Sequence, residues 1–323
     1  MQKRTEYNEN SERISQSTST QSTENSILNC AIQDETGLND FQKLPSDAGI
    51  SIPRVGIERF RIPLLFKHAN GAMMSHDAQA SMFVYLAADK TGVNMSRFPV
   101  ILQKEAEDQP VDNSFFKKVL HKFRSDLRDF ETEDLIPSAE LSLNFNYALK
   151  QPSLKSDNWG WQYYNCELKG ISTKDQNVLM SLTVNYEYSS TCPCSLSMAK
   201  QYEEDFREGK VTEGSGIATA HSQRSNAKTQ IFFNNEDDIS IEELVNLLRK
   251  ALPTETQSLV KRIDEQAFAI LNGENPIFVE HVARKLSKAL DSEKRILDWN
   301  VHIEHWESLH SHNAVAYISK TKR

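Results

Sequence analysis

The chain is short of cysteine, with Cys30, Cys166, Cys192 and Cys194 alone in 323 residues. Two of them are separated by one residue and the others lie far away, so the spacing lays out no disulfide framework. Cysteines that close seldom bond to each other without strain, and a reducing compartment is expected. Long apolar runs are missing as well. No stretch approaches the length of a membrane span and the N-terminus carries no apolar signal core, which implies a cytoplasmic protein with no membrane partner. Positive charge is not in excess: 37 Lys and Arg stand against 45 Asp and Glu, a net charge of −8. A protein that coats nucleic acid shows a basic footprint, so nucleic acid is not an expected partner, while a local cationic pocket for a phosphorylated small molecule stays open. The HExxH, CxxC and P-loop signatures are absent.

What is present begins with a polar tail. Residues 1–48 are rich in Ser, Thr, Gln, Asn and Glu, bury too little apolar area to offset their ordering entropy, and read as disordered. Residues 49–175 then read as strand, strand, helix, helix, strand, strand. Val55–Phe66 and Ala80–Ala87 are the first strands; Ser96 is a fair N-cap for a helix to about Glu107. A stripe from Phe115 to Phe130 recurs at helical spacing. Leu141 to Leu149 alternate as a strand with one buried face, and Trp161–Ile171 is its partner. Residues 176–323 repeat the order. Val178 to Tyr188 alternate, and Thr229–Phe233 follows a long loop. Ser240-Ile-Glu-Glu243 is a capping box for a helix stopped at Pro253. Further helical stretches run from Thr256 to Leu271 and from Asn275-Pro276, with Pro in the first turn. Strands near Ile296–Trp306 and Ala314–Ser319 close the chain.

The long loop, Cys192 to Arg224, is the organising stretch. A thiol at Cys192 and an imidazole at His221 stand at its ends, between two strands able to hold them. Two cysteines in a polar Ser/Thr/Pro turn fit an inert core role poorly. Glu280 lies on an otherwise apolar helix, where a carboxylate is costly unless it is paired or binds something. His302, His305, His310 and His312 crowd the last hairpin. Sulfur and nitrogen donors of this kind suit Zn²⁺, Fe²⁺ or Mn²⁺.

Thr-Cys-Pro-Cys-Ser at 191–195, Ala-His-x-Gln-Arg-Ser at 220–225, Lys-Arg-x-Asp-Glu at 261–265, Asn-Pro-x-Phe-Val-Glu at 275–280 and Glu-Ser-x-His-x-His-x-Ala at 307–314 occur in that order. With Arg-Val-Gly-Ile at 54–57 and Asn-Met-Ser-Arg-Phe at 94–98, the chain resembles the type IB GTP cyclohydrolases. The resemblance covers roughly residues 52–318. It implies an α+β tunnelling fold of tandem ββααββ units, whose antiparallel sheets, with helices on one face, assemble into an oligomeric barrel. It implies a homotetramer with active sites at subunit interfaces, and metal-dependent hydrolysis of GTP to 7,8-dihydroneopterin triphosphate and formate, the first step of folate and pterin synthesis. The metal ligands it implies are Cys192, His221, Glu265 and His310. Cys192, His310 and Glu265 are its catalytic residues; Glu280 would anchor the purine ring, with Arg97 and Arg224 as candidates for binding the triphosphate. Lys261 and Arg262 are further cationic candidates. Three departures stand out: residues 203–216 look inserted, Ile263 replaces a usual Pro, and His281 a usual acid. Two alternatives remain at this level, a tunnelling-fold nitrile reductase with a Cys nucleophile and NADPH, and a non-catalytic, metal-stabilised assembly protein.

Overall fold

The computed structural model describes residues 37–38, 44–46, 49–107, 109–127, 138–172 and 177–321. The disordered-tail reading falls almost wholly outside these residues, as do Phe130 and the proposed junction at Asp175. The chain divides into two compact units. In the smaller, residues 1–52 and 86–93, Pro45 bridges to Lys90, Ser46 N donates to the Asp89 carbonyl at 2.9 Å, and Thr91 Oγ1 donates to the Leu44 carbonyl at 2.5 Å.

The larger unit is built on an antiparallel sheet of eight strands taken in chain order. These are β1 (Ile52–Lys67), β2 (Met73–Leu86), β3 (Ala139–Pro152), β4 (Trp159–Ser172), β5 (Val178–Thr191), β6 (Ser222–Asn234), β7 (Asp298–His305) and β8 (Ala314–Ser319). Strict alternation decides which face is buried. Leu141, Leu143, Phe145 and Tyr147 of β3 share the buried face with Met180, Leu182, Val184, Tyr186 and Tyr188 of β5 and with Trp299, Val301 and Ile303 of β7. The opposite face is polar and carries an asparagine ladder. Asn165 donates to Asn146, Asn185 to Asn165 and Asn226 to Asn185, at 3.4, 3.1 and 3.2 Å.

Among the described residues six helices accompany the sheet: α1 (Arg97–Ala106), α2 (Asn113–Asp126), α3 (Pro193–Arg207), α4 (Ile241–Ala251), α5 (Arg262–Glu274) and α6 (Val279–Ser292). Helix α2 packs on β3 and β4, α4 on β5, and α6 on β7 and β8. Asp112 caps α2 by accepting from Phe115 N at 2.8 Å, and the Ser240–Glu243 box opens α4 as its sequence requires.

Several expectations need correction. The stretch from Cys192 to Arg224 is not one loop. Pro193 supplies the first helical position, where its missing N–H costs nothing, and α3 follows; Leu196, Ala199 and Phe206 lie along it, but only Ala199 is fully buried, which makes the apolar signal faint. Arg224 belongs to β6. The order of the second half is therefore strand, helix, strand, three helices, strand, strand. The helical stretch expected from Thr256 begins only at Arg262, and Thr256 is held in an extended segment: Ser189 N donates to the Thr254 carbonyl at 2.7 Å and Thr256 N to the Glu187 carbonyl at 3.2 Å. Pro276 starts no helix: Ile277 N donates to the Thr191 carbonyl at 2.9 Å, Phe278 is the extended N-cap, and α6 begins at Val279. Ser96 occupies the N-cap of α1 but donates its hydroxyl to Asn94 instead of accepting from the helix.

Candidate functional site

The end of β5, the start of α3 and the start of β6 meet at Cys192 and His221. Cys192 N donates to the His221 carbonyl at 3.2 Å, while the Cys192 carbonyl accepts Leu196 N at 3.0 Å. Cys192 is the N-cap of α3 and half-buried; Cys194, in the first turn, is exposed. The two cysteines therefore have different environments, and the half-buried one sits beside the histidine.

The His221 ring is held by residues to which the sequence reading gave no role. Gln223 is buried, and its Nε2 donates to Ser190 Oγ at 2.8 Å. Ser190 faces Gln223 directly across β5 and β6 and bonds in turn to Ser225 Oγ at 2.8 Å. With its amide nitrogen committed, Gln223 presents Oε1 to His221 Nδ1 at 3.1 Å. An acceptor there requires the proton on Nδ1 and, in the neutral ring, selects the tautomer whose lone pair is on Nε2, the usual way a supporting group prepares an imidazole to ligate. Glu307 Oε2 lies 3.6 Å from the same Nδ1 and is a buried carboxylate oxygen without a hydrogen-bond partner.

A divalent ion is implied by the family resemblance, and the donors fit it in part. Cys192 and His221, joined through their backbones, with the orphaned Glu307 oxygen near the imidazole, offer donor types chemically suited to a zinc-like ion. Among the described residues, however, no three His, Cys, Asp or Glu side chains converge to hold a metal. Glu265, in the first turn of α5, and His310, between β7 and β8, are both exposed. One chain thus brings Cys192 and His221 together and does not gather the full set of four.

The neighbouring residues are positioned by the core. The pairing of Ile277 with Thr191 brings the approach to α6 alongside the end of β5, and Glu280 is exposed in the first turn of that helix. His305, at the end of β7, is buried against Tyr188 OH at 2.9 Å; burial lowers its pKa to about 4, against the pull of Glu280. Arg97 Nη1 donates to the Asp126 carbonyl at 2.7 Å. Exposed Arg224 lies over the Trp306 ring at 5.3 Å and 3.8 Å from Glu187. Asp264, adjacent to Glu265, is fully buried and accepts from Lys155 N, Ser156 N, Ser156 Oγ and Lys261 N at 2.6 to 2.8 Å. Those donors hold its carboxyl well below the usual range and fix the start of α5, where Glu265 projects.

Known proteins were compared with the chain. A solved uricase from Arthrobacter globiformis aligns with a TM-score of 0.49 and 9% identity, over 84% of this chain and 94% of that one. The GTP cyclohydrolase FolE2 of Paracoccus denitrificans is 37% identical over 290 residues, 88% of this chain and 85% of that protein. That of Roseobacter denitrificans is 38% identical over 288 residues, 87% of this chain and 73% of that protein. The family described as type I GTP cyclohydrolase folE2 matches residues 38–316. A match of that length, joined to those identities, means that the chain belongs to the type I GTP cyclohydrolase folE2 family.

Proposed function

We infer that the protein hydrolyses GTP to 7,8-dihydroneopterin triphosphate and formate, the entry step of folate and pterin synthesis. The observation that carries this reading is the family match across residues 38–316, which includes every candidate site residue. A divalent ion, Zn²⁺, Mn²⁺ or Fe²⁺, completes the site. Cys192 and His221 are its first two ligands, supported by their backbone contact and by the Gln223 acceptor that receives the His221 Nδ1–H and leaves Nε2 as the ligating nitrogen. Glu265 and His310 are the other two. Both are exposed, and we assign them to sites completed where copies of the chain meet, in a homotetramer of tunnelling-fold units closed into a barrel. When bound, such an ion lowers the pKa of water toward about 7 and supplies a nucleophile for C8 of the guanine ring near neutrality.

The chain's own residues then hold and direct the substrate. The Glu280 carboxylate accepts from guanine N1–H and the exocyclic amine, two donors on one edge matched to two acceptor oxygens. Arg224, held over Trp306, and Arg97 serve the triphosphate. A histidine neighbouring His310 on the last hairpin moves protons between ring nitrogen and solvent as the imidazole opens. A reducing cytoplasmic setting suits the half-buried thiol of Cys192, which must stay unoxidised to ligate.

The test is to incubate the full chain with GTP and each of the three ions and to look for pterin fluorescence after oxidation. Fluorescence that requires the ion and disappears with a chelator supports the reading. Unchanged GTP with every ion would overturn it.

A further inference from the structure

Two buried histidines that take no part in that site lie at the turn end of the first hairpin. His68 follows β1 and His76 lies on β2; each is 7% exposed, and their Nε2 atoms are 3.3 Å apart. Every element around them contributes a polar or titratable group. From β3, Tyr147 stacks on His68 with ring centroids 4.5 Å apart and planes 11° from parallel. From α4, Glu242 Oε1 accepts from Tyr147 OH at 2.7 Å and from Ala69 N at 3.0 Å, and lies 3.6 Å from His68 Nδ1. Burial lowers the His76 pKa and the neighbouring His68 lowers it further, against a backbone bond from Asn146; burial likewise lowers that of His68, against the pull of Glu242. From β4, Cys166 is kept a thiol by burial and by Glu242. Lys67, Tyr147 and Glu242 line an adjoining cavity of about 310 Å³.

A carboxylate therefore stands at ion-pair distance from His68, 3.6 Å from Nδ1, and the Asn146 backbone is bonded to His76. With each ring's single N–H turned toward that neighbour, two Nε2 lone pairs face each other at 3.3 Å. One cation between them relieves the repulsion. A second proton would place two imidazolium charges side by side out of water, which burial and like charge both oppose. A divalent ion would carry more charge than Glu242 neutralises while Cys166 stays a thiol, and no third ligand converges among the described residues. One proton matches one carboxylate. We propose that His68 and His76 form a single-proton site, in which one proton held between the two Nε2 atoms and neutralised by Glu242 clamps the end of the β1–β2 hairpin to α4.

The consequence is a proton-sensitive joint. As pH falls the native pair takes up one proton where two unfolded histidines take up two. A native state that binds one proton fewer loses stability in acid, by about tenfold in the folding equilibrium per pH unit below the ordinary histidine range.

The test uses the full chain, with histidine ring nitrogen signals followed by NMR from pH 8 to 4 in the wild type, Glu242→Gln and His76→Gln. In the wild type the two rings should respond together to a single proton. Glu242→Gln should move that step to lower pH, since the countercharge is gone. Urea unfolding at pH 7.5 and 5 should show a smaller acid loss in His76→Gln than in the wild type. Two independent steps adding two protons, or no uptake before the fold is lost, would overturn the proposal, and the wild-type titration decides this even if a variant does not fold. Tight, equimolar binding of Zn²⁺ that vanishes in His76→Gln would overturn it too, by making the pair a metal site.

Discussion

At the scale of single residues, Cys192 and Cys194 are the sharpest contrast. One is a half-buried N-cap bonded through its backbone to His221, the other an exposed residue of the first helical turn. Cys192→Ala should abolish turnover and remove most of the bound metal, while Cys194→Ala should be mild. Metal content of the two purified variants checks this, and equal loss from both would refute the assignment. Gln223 makes a finer prediction. Gln223→Leu keeps both proposed ligands but frees the His221 tautomer, and loss of a supporting partner of this kind weakens metal affinity about 10- to 100-fold. Glu280→Ala should retain its metal and lose GTP affinity, since each charge-assisted hydrogen bond is worth roughly 1.5–3 kcal/mol; calorimetric titration with GTP reads it directly, and wild-type affinity would end the anchoring role. His305 gives a pH dependence. Its ring is neutral in the fold down to about pH 4, whereas the unfolded ring protonates near 6.5. The unfolded state therefore binds the extra proton between those values, and stability is lost as pH falls through that window, by roughly 3 kcal/mol in total. His305→Asn should unfold with a shallower acid dependence in urea melts taken from pH 7 to 4.5.

At the scale of elements, Ser240→Ala removes one half of a capping box whose two bonds are both formed, and should cost about 1 kcal/mol of stability with no change in metal content. That helix was legible because its cap and its apolar stripe agree. The strands were legible for a similar reason: large apolar residues recur at every second position of β3, β5 and β7, and β7 alternates in burial throughout. Helix α3 was not. It fully buries only Ala199, so its sequence has too little apolar contrast to stand out from a polar loop. The extended course of residues 254–256 was hidden because its partner is the edge of β5, a tertiary contact that overrides a local helical pattern. The site divides along the same line. Cys192 and His221 could be found from residue type and order, because their chemistry lies in the side chains themselves. The roles of Ser190 and Gln223 come from their meeting across β5 and β6, and the orphaned oxygen of Glu307 from burial; no spacing along the chain announces either.

At the scale of the whole molecule, one chain presents two proposed ligands together and two apart, and β1 and β8 are the outermost strands of its sheet among the described residues. Unpaired edges are a liability that closure with other copies removes, and the proposed tetramer answers both features. Light scattering on the metal-loaded protein should give a stable oligomer, and a fully active monomer would contradict it. The central claim, however, is chemical: C8 leaves the guanine ring as formate. GTP carrying a ¹³C label at C8 tests it most directly. Incubated with the full chain and a divalent ion, each GTP consumed should yield one labelled formate and an unlabelled pterin triphosphate. Label retained in the nucleotide product, or GTP consumed without labelled formate, would contradict the account.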